Sequence, residues 1–140
     1  MEVSNYDISS TLATSISQRL IRKLCPHCKR EREFTEEEKK IIQSIGEKYN
    51  VNFDLTNVKT YDAVGCDKCN QSGYYDRIAI FETLLITDPI KELIVKDAST
   101  LEIREEAYKE GYKPMIIEGL NKVISGITTL EELNSKLLFY

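Results

Sequence analysis

The chain has 140 residues, of which 41% are hydrophobic, enough for one modest core, and a formal charge of −4. That acidic balance, with an isoelectric point near 5.2, excludes the basic composition expected of a dedicated nucleic-acid binder. No apolar run reaches the length of a membrane-spanning helix and the N-terminus lacks a signal-peptide stretch, so a cytoplasmic location is expected.

Residues 7–24, DISSTLATSISQRLIRKL, place Ile8, Leu12, Ile16, Leu20 and Leu24 four apart, with Ala13 and Ile21 beside them. This spacing predicts one apolar face of a helix, capped by Asn5 or Asp7 and left before Pro26. A second helix is expected over 35–49, where Thr35 followed by Glu38 has capping-box spacing. Only Ile41, Ile42 and Ile45 give it an apolar side, so it should be largely exposed. Residues 51–86 are rich in Val, Ile, Tyr, Phe and Thr, and RIAIFETLLI at 77–86 alternates as a strand does. From Asp88 onward the pattern is helical. Pro89 suits a first helical turn, Ser99 and Glu102 form a second capping box, and Gly111 ends that helix. PMIIEGLNKVIS closes at Gly126, and Thr128 with Glu131 has the spacing of a third box for TLEELNSKLLF. The expected fold class is α+β, mainly helical with a short β-element. Three segments are expected: a helix over 1–24, a cysteine module over 25–77, and a strand followed by helices over 78–140.

The four cysteines stand as two C-x-x-C pairs, Cys25 with Cys28 and Cys66 with Cys69. A two-residue gap lets both sulfurs of a pair face one tetrahedral ion, and two pairs complete a structural zinc site. The long segment between them is no objection. Doubling a loop costs about 0.6 kcal/mol, whereas structural zinc supplies on the order of 10 kcal/mol. A dithiol redox couple, four ordinary buried thiols and structural disulfides are the competing readings. The first lacks a thioredoxin-like context and the last suits an oxidising compartment. Gly65 and Gly73 flank the second pair, where a tight turn and N–H bonds to sulfur would need them. His27, the only histidine, would be a poor fifth ligand and is expected to face solvent or hydrogen-bond near the metal. Four thiolates around one divalent ion add a net negative charge of about two, which Lys23, Lys29, Arg30 and Lys68 could offset. The same basic cluster could instead dock an acidic partner or membrane headgroups. No phosphate loop, nucleophile elbow or H-E-x-x-H motif occurs in the chain, and the carboxylates concentrate at helix starts.

Three stretches, QRLIRKLCPHCK, AVGCDKCNQSGYYDRIAIFETL and EGLNKVISGITTLEEL, resemble in this order the C-terminal part of the type II secretion and type IV pilus assembly ATPases. The resemblance runs from about Asn5 to the end of the chain. It departs at Gln71 and Asp76, where that family often has Gly. It implies a tetracysteine zinc subdomain inserted in a RecA-like ATPase domain, with Cys25, Cys28, Cys66 and Cys69 as the Zn2+ ligands. The phosphate loop and the acidic groups that hold Mg2+ lie upstream in the family, so the resemblance implies a piece of a longer protein that does not hydrolyse ATP alone. The implied parent is a homo-hexameric motor at the cytoplasmic face of the membrane. Its implied partner is an inner-membrane platform or adaptor protein of the assembly machine, with Arg22, Lys29, Arg30 and Arg32 as candidate contacts. A free-standing tetracysteine zinc adaptor is the alternative, since CDKCNQSG also resembles the C-x-x-C-x-G-x-G repeats of J-domain chaperones.

Overall fold

Ser4 accepts the Asp7 N–H at 3.1 Å and opens α1 (Asn5–Thr11), a helix of under two turns followed at once by the long strand β1 (Thr14–Leu24). The computed structural model describes residues 2–139. A continuous helix over 7–24, expected from the sequence, is therefore not formed. The reason lies in the spacing itself. Apolar residues at every fourth position share one face of a strand as well as of a helix. The Thr and Ser residues between them disfavour the helical alternative, because their hydroxyls compete for the backbone.

The other elements follow in order. They are β2 (Arg30–Glu33), α2 (Glu36–Lys48), β3 (Lys59–Asp62), a single 3-10 turn (Asp67–Cys69), β4 (Tyr74–Leu85), α3 (Asp88–Val95), α4 (Thr100–Lys109), α5 (Met115–Ile124) and α6 (Leu130–Leu137). The fold is α+β, as expected. β1 pairs with β4 in one two-stranded sheet, and β2 pairs antiparallel with β3 in another, with Arg30 opposite Asp62 and Glu33 opposite Lys59.

The chain divides into two compact units, each assembled from separated segments. One comprises, among the described residues, 2–17 and 82–114. Here α1 packs on α3, Asn5 donates to Asp97 at 3.1 Å, and Ile86, Ile90 and Ala107 form a small core with Leu84, Ile94, Ile103 and Tyr112. The Ser99–Glu102 capping box forms as the sequence predicts. Thr87, the residue before α3, donates its hydroxyl to the Glu110 carboxylate at 2.8 Å.

The other unit comprises residues 18–81 and 115–139. Its core gathers Ile21, Phe34, Ile42, Phe53 and Ile80 with Met115, Ile116, Ile117, Leu120, Val123, Leu130 and Leu133. The Thr35–Glu38 capping box holds the start of α2, and Ile42 of that helix is fully buried beside α5. The third box expected at Thr128 and Glu131 does not form; a simple N-cap one residue later takes its place, because the Glu132 carboxylate is bound to Arg22. Thr129 caps α6 through Glu132, and Thr128 instead donates to the Arg22 carbonyl at 2.8 Å. Two threonines followed by two glutamates allow either register, and the contact of Glu132 with Arg22 selects one.

Candidate metal centre

The end of β1 delivers Cys25, and a turn through Pro26 brings Cys28 to the same side, with the Lys29 N–H bonded to the Cys25 carbonyl at 3.1 Å. The 3-10 turn does the same for Cys66 and Cys69, with the Cys69 N–H on the Cys66 carbonyl at 3.2 Å. The Cys25 N–H reaches across to the Gly73 carbonyl at 2.9 Å and ties the two knuckles together.

All four Sγ atoms lie within 4.8 Å of one another, and the separations are 3.8 Å for Cys25–Cys66, 3.8 Å for Cys28–Cys69 and 3.7 Å for Cys66–Cys69. Four thiolates at about 2.3 Å from a tetrahedral ion stand about 3.8 Å apart. The four cysteines are thus placed as a set that can hold one metal ion. Among the described residues the group contains no other donor, and His27 is exposed to solvent.

The backbone is shaped around the sulfurs. Gly65 N–H donates to Cys28 Sγ at 3.3 Å, Gly73 N–H to Cys69 Sγ at 3.3 Å and Cys66 N–H to Cys69 Sγ at 3.2 Å. Both glycines are left-handed, with φ of 110° and 80°. A Cβ on Gly65 would meet the Gln71 carbonyl oxygen at 2.8 Å, and one on Gly73 would meet Ala63 Cβ at 2.7 Å. These are the glycine roles the sequence suggested. Gln71 and Asp76, where the resembling family often has Gly, are also left-handed, with φ of 62° and 71°.

Packing four thiols together splits their acidities in the metal-free protein. Burial and the neighbouring thiols push Cys28 up to about 11, against the pull of the Gly65 N–H. Burial also opposes ionisation of Cys69, but the N–H groups of Cys66 and Gly73, helped by the adjacent thiols, bring it down to about 6. The Cys69 thiolate is therefore stabilised by fixed dipoles while Cys28 resists a second negative charge. A bound cation removes that conflict, because its charge favours all four thiolates together.

The basic residues near the cysteines are largely committed to other partners. Lys29 Nζ donates to the Gly126 carbonyl at 3.1 Å and lies 4.2 Å from the centre of the Tyr61 ring. Arg30 and Arg32 both bond Asp62, at 3.0 and 2.7 Å, and Arg32 also takes Glu38 through both terminal nitrogens. Arg22 bonds Glu132 and lies 4.1 Å from the centre of the Tyr74 ring. The Arg22–Glu132 and Lys29–Gly126 contacts had no signal in the sequence, since their partners stand about a hundred positions away.

A profile of the family described as Type II/IV secretion system protein matches residues 1–135. The type IV pilus assembly ATPase PilB of Myxococcus xanthus is 35% identical over 132 residues, covering 94% of this chain and 22% of that protein. PilB of Pseudomonas aeruginosa is 37% identical over 134 residues, covering 96% and 22%. The type II secretion system ATPase E of Vibrio cholerae is 38% identical over 133 residues, covering 94% and 24%. The chain thus spans about a fifth of the length of the first relatives it matches, between 15% and 22% of each.

Proposed function

The chain belongs to the type II/IV secretion system protein family, and on that premise we propose that it is a segment of a hexameric motor ATPase that powers type IV pilus assembly or type II secretion. The observation that carries this reading is the family match over residues 1–135, which includes both C-x-x-C pairs and the tetrathiolate set they build. Zinc is the ion proposed for Cys25, Cys28, Cys66 and Cys69. Four thiolates at tetrahedral spacing are a soft donor set that suits zinc and not magnesium or calcium. Such an ion would be structural, since four protein ligands leave no open position for substrate.

The segment itself contributes no catalytic group to ATP hydrolysis. Its 140 residues include no phosphate loop, so ATP and Mg2+ belong to the remainder of the motor. Its proposed work is mechanical and adhesive. A metal-stapled module stays rigid without a large core, which suits a handle for an inner-membrane platform or adaptor protein at the cytoplasmic face. Among the described residues no helix is long and apolar enough to cross a membrane, so attachment to the membrane would run through such partners.

The test is a chimera in which this segment replaces the matching part of the Pseudomonas PilB or the Vibrio secretion ATPase, in cells lacking the native motor. Recovery of pilus assembly or of secretion supports the reading, and the system that recovers identifies the machine. A chimera that binds zinc and hydrolyses ATP but restores neither process overturns it.

A further inference from the structure

The acidity of the chain is concentrated in its smaller unit. Residues 2–17 and 82–114 hold ten Asp and Glu against five Lys and Arg, whereas residues 18–81 and 115–140 hold thirteen against fourteen. Where the end of β4, the start of α3 and the end of α4 meet, this unit forms a cavity of about 140 Å3. Leu84, Leu85 and Ala107 give it apolar walls, and Thr87, Glu110 and Tyr112 give it polar ones. Leu85 is 63% exposed, which puts it at the mouth.

The polar wall departs from ordinary helix capping. Thr87 is the N-cap of α3, a position whose hydroxyl normally accepts a backbone N–H, yet it makes no such bond. Its hydroxyl instead donates to both oxygens of Glu110, at 2.8 and 2.9 Å. A helix cap is thus given up to orient one carboxylate, and among the described residues that carboxylate has no cation partner. Lys109 and Lys113, the cations beside it in sequence, are exposed and line no part of the cavity. The C-terminal end of α4, the negative pole of that helix, borders the same space. Tyr112 stays a neutral hydroxyl, since burial and the nearby Glu82 carboxylate push it up to about 12.

We propose that this cavity receives a lysine side chain from a basic segment of a partner protein, with the methylene stem against Leu84, Leu85 and Ala107 and the ammonium on Glu110. A lysine carries an apolar stem and a charged head, the two surfaces that the cavity presents. Arginine fits less well. The Thr87 hydroxyl is nearly equidistant from the two carboxylate oxygens and so occupies the side on which a guanidinium fork makes its paired bonds. An ammonium needs one lone pair there and not two. The acidic excess of the whole unit supplies the longer-range attraction for a basic segment. The inference deepens the proposed function, on which it rests for the expectation of a protein partner, by giving that partner's chemistry. It assigns docking to Glu110 and not to Arg22, Lys29, Arg30 and Arg32, which have partners within the chain.

The test titrates acetylated octalysine into the methyl-labelled 140-residue chain and follows NMR shifts. The methyl signals of Leu84, Leu85 and Ala107 should move. Affinity should fall about tenfold or more in Glu110→Gln. It should stay within about twofold in Glu105→Gln, which alters an exposed acid on the same helix outside the cavity. Leu85→Lys places an ammonium of the chain's own at the mouth and should lose binding as strongly. Because Leu85 is exposed, that variant covers the case in which Glu110→Gln disturbs α4. Octaarginine should bind about fivefold or more weakly than octalysine. No binding, shifts scattered over acids outside the cavity, full affinity in both variants, or octaarginine binding as tightly as octalysine overturns the lysine site and leaves the motor reading to the chimera. A chimera that fails while octalysine still binds at Glu110 removes the motor reading and keeps the site.

Discussion

Arg22 on β1 and Glu132 on α6 grip each other by three hydrogen bonds. Arg22 Nε and Nη2 donate to Glu132 Oε2 at 2.9 and 2.7 Å, and the Arg22 backbone N–H donates to Oε1 at 3.0 Å. The Glu132 side chain is fully buried, while that of Arg22 is 46% exposed. Tyr74 extends the contact, with its hydroxyl at 2.8 Å from Thr129 Oγ1, the cap of α6. The pair thus fixes the last helix to the strand that ends in the first metal knuckle.

That geometry gives a signed pH dependence. Burial alone would help Glu132 keep a proton, but the Arg22 guanidinium and N–H outweigh it and hold the carboxyl below its ordinary range. Its native pKa is lower than its unfolded one, so the pair contributes fully above the unfolded value of about 4.3. The contribution is lost as pH falls through the native pKa. Urea midpoints should drop on acidification below about pH 5. Arg22→Ala should cost about 2–4 kcal/mol at neutral pH by leaving a buried charge unpaired, and should flatten the acid slope contributed by Glu132. An unchanged midpoint and slope in Arg22→Ala would show that the pair does not hold α6.

Metal removal should reach past the cysteines. The Leu24 N–H bonds the Ile127 carbonyl at 2.8 Å and Lys29 Nζ bonds the Gly126 carbonyl at 3.1 Å, so the turn between α5 and α6 rests on the first knuckle. On chelation, amide NMR signals from residues 25–77 and from Gly126–Thr129 should shift or broaden. Signals of α3 and α4, which have their own core around Ile90, should persist. Unchanged signals over 25–77 would reject the metal as a structural staple.

Gln71 offers a stabilising substitution. It is exposed and left-handed at φ 62°, a conformation that costs a side-chain-bearing residue about 1–2 kcal/mol. Glycine removes that cost and adds roughly 0.5–1 kcal/mol of unfolded-state entropy. Gln71→Gly also gives up an exposed bond to Asp67. The net expectation is a gain of about 0.5 kcal/mol in thermal or urea unfolding, with metal affinity unchanged. A loss of stability would mean that the Gln71–Asp67 bond matters more than the backbone strain.

Arg30 and Arg32 should separate in their structural weight. Arg32 is one-third exposed and bridges Glu38 and Asp62, holding both carboxyls below their usual range, whereas Arg30 is 71% exposed and touches only the rim of Asp62. Arg32→Ala should cost about 1 kcal/mol or slightly more, and Arg30→Ala under about 0.5 kcal/mol. Thermal melts at low and high salt would test this, since the more exposed pair should fade first. Equal costs would place both arginines on the surface alike. Arg30→Ala is therefore the cleaner variant for probing partner docking.

Features that depend on near neighbours are legible in the amino-acid order alone. The C-x-x-C knuckles, the boxes at Thr35 and Ser99, the left-handed glycines beside the sulfurs and the helices after Asp88 all follow from residues a few positions apart. Tertiary structure decided whatever short-range signals left open. Apolar residues four apart in 7–24 fit a strand face as well as a helix face, and pairing with β4 resolved them into β1. TTLEE fits two capping registers, and Arg22 drew Glu132 into the one observed. The basic residues read as candidate docking contacts, Arg22, Lys29, Arg30 and Arg32, are instead held by Glu132, the Gly126 carbonyl, Asp62 and Glu38. Local rules fix backbone conformation over a few residues, but the partner of a charge is whatever the fold brings within about 3 Å of it.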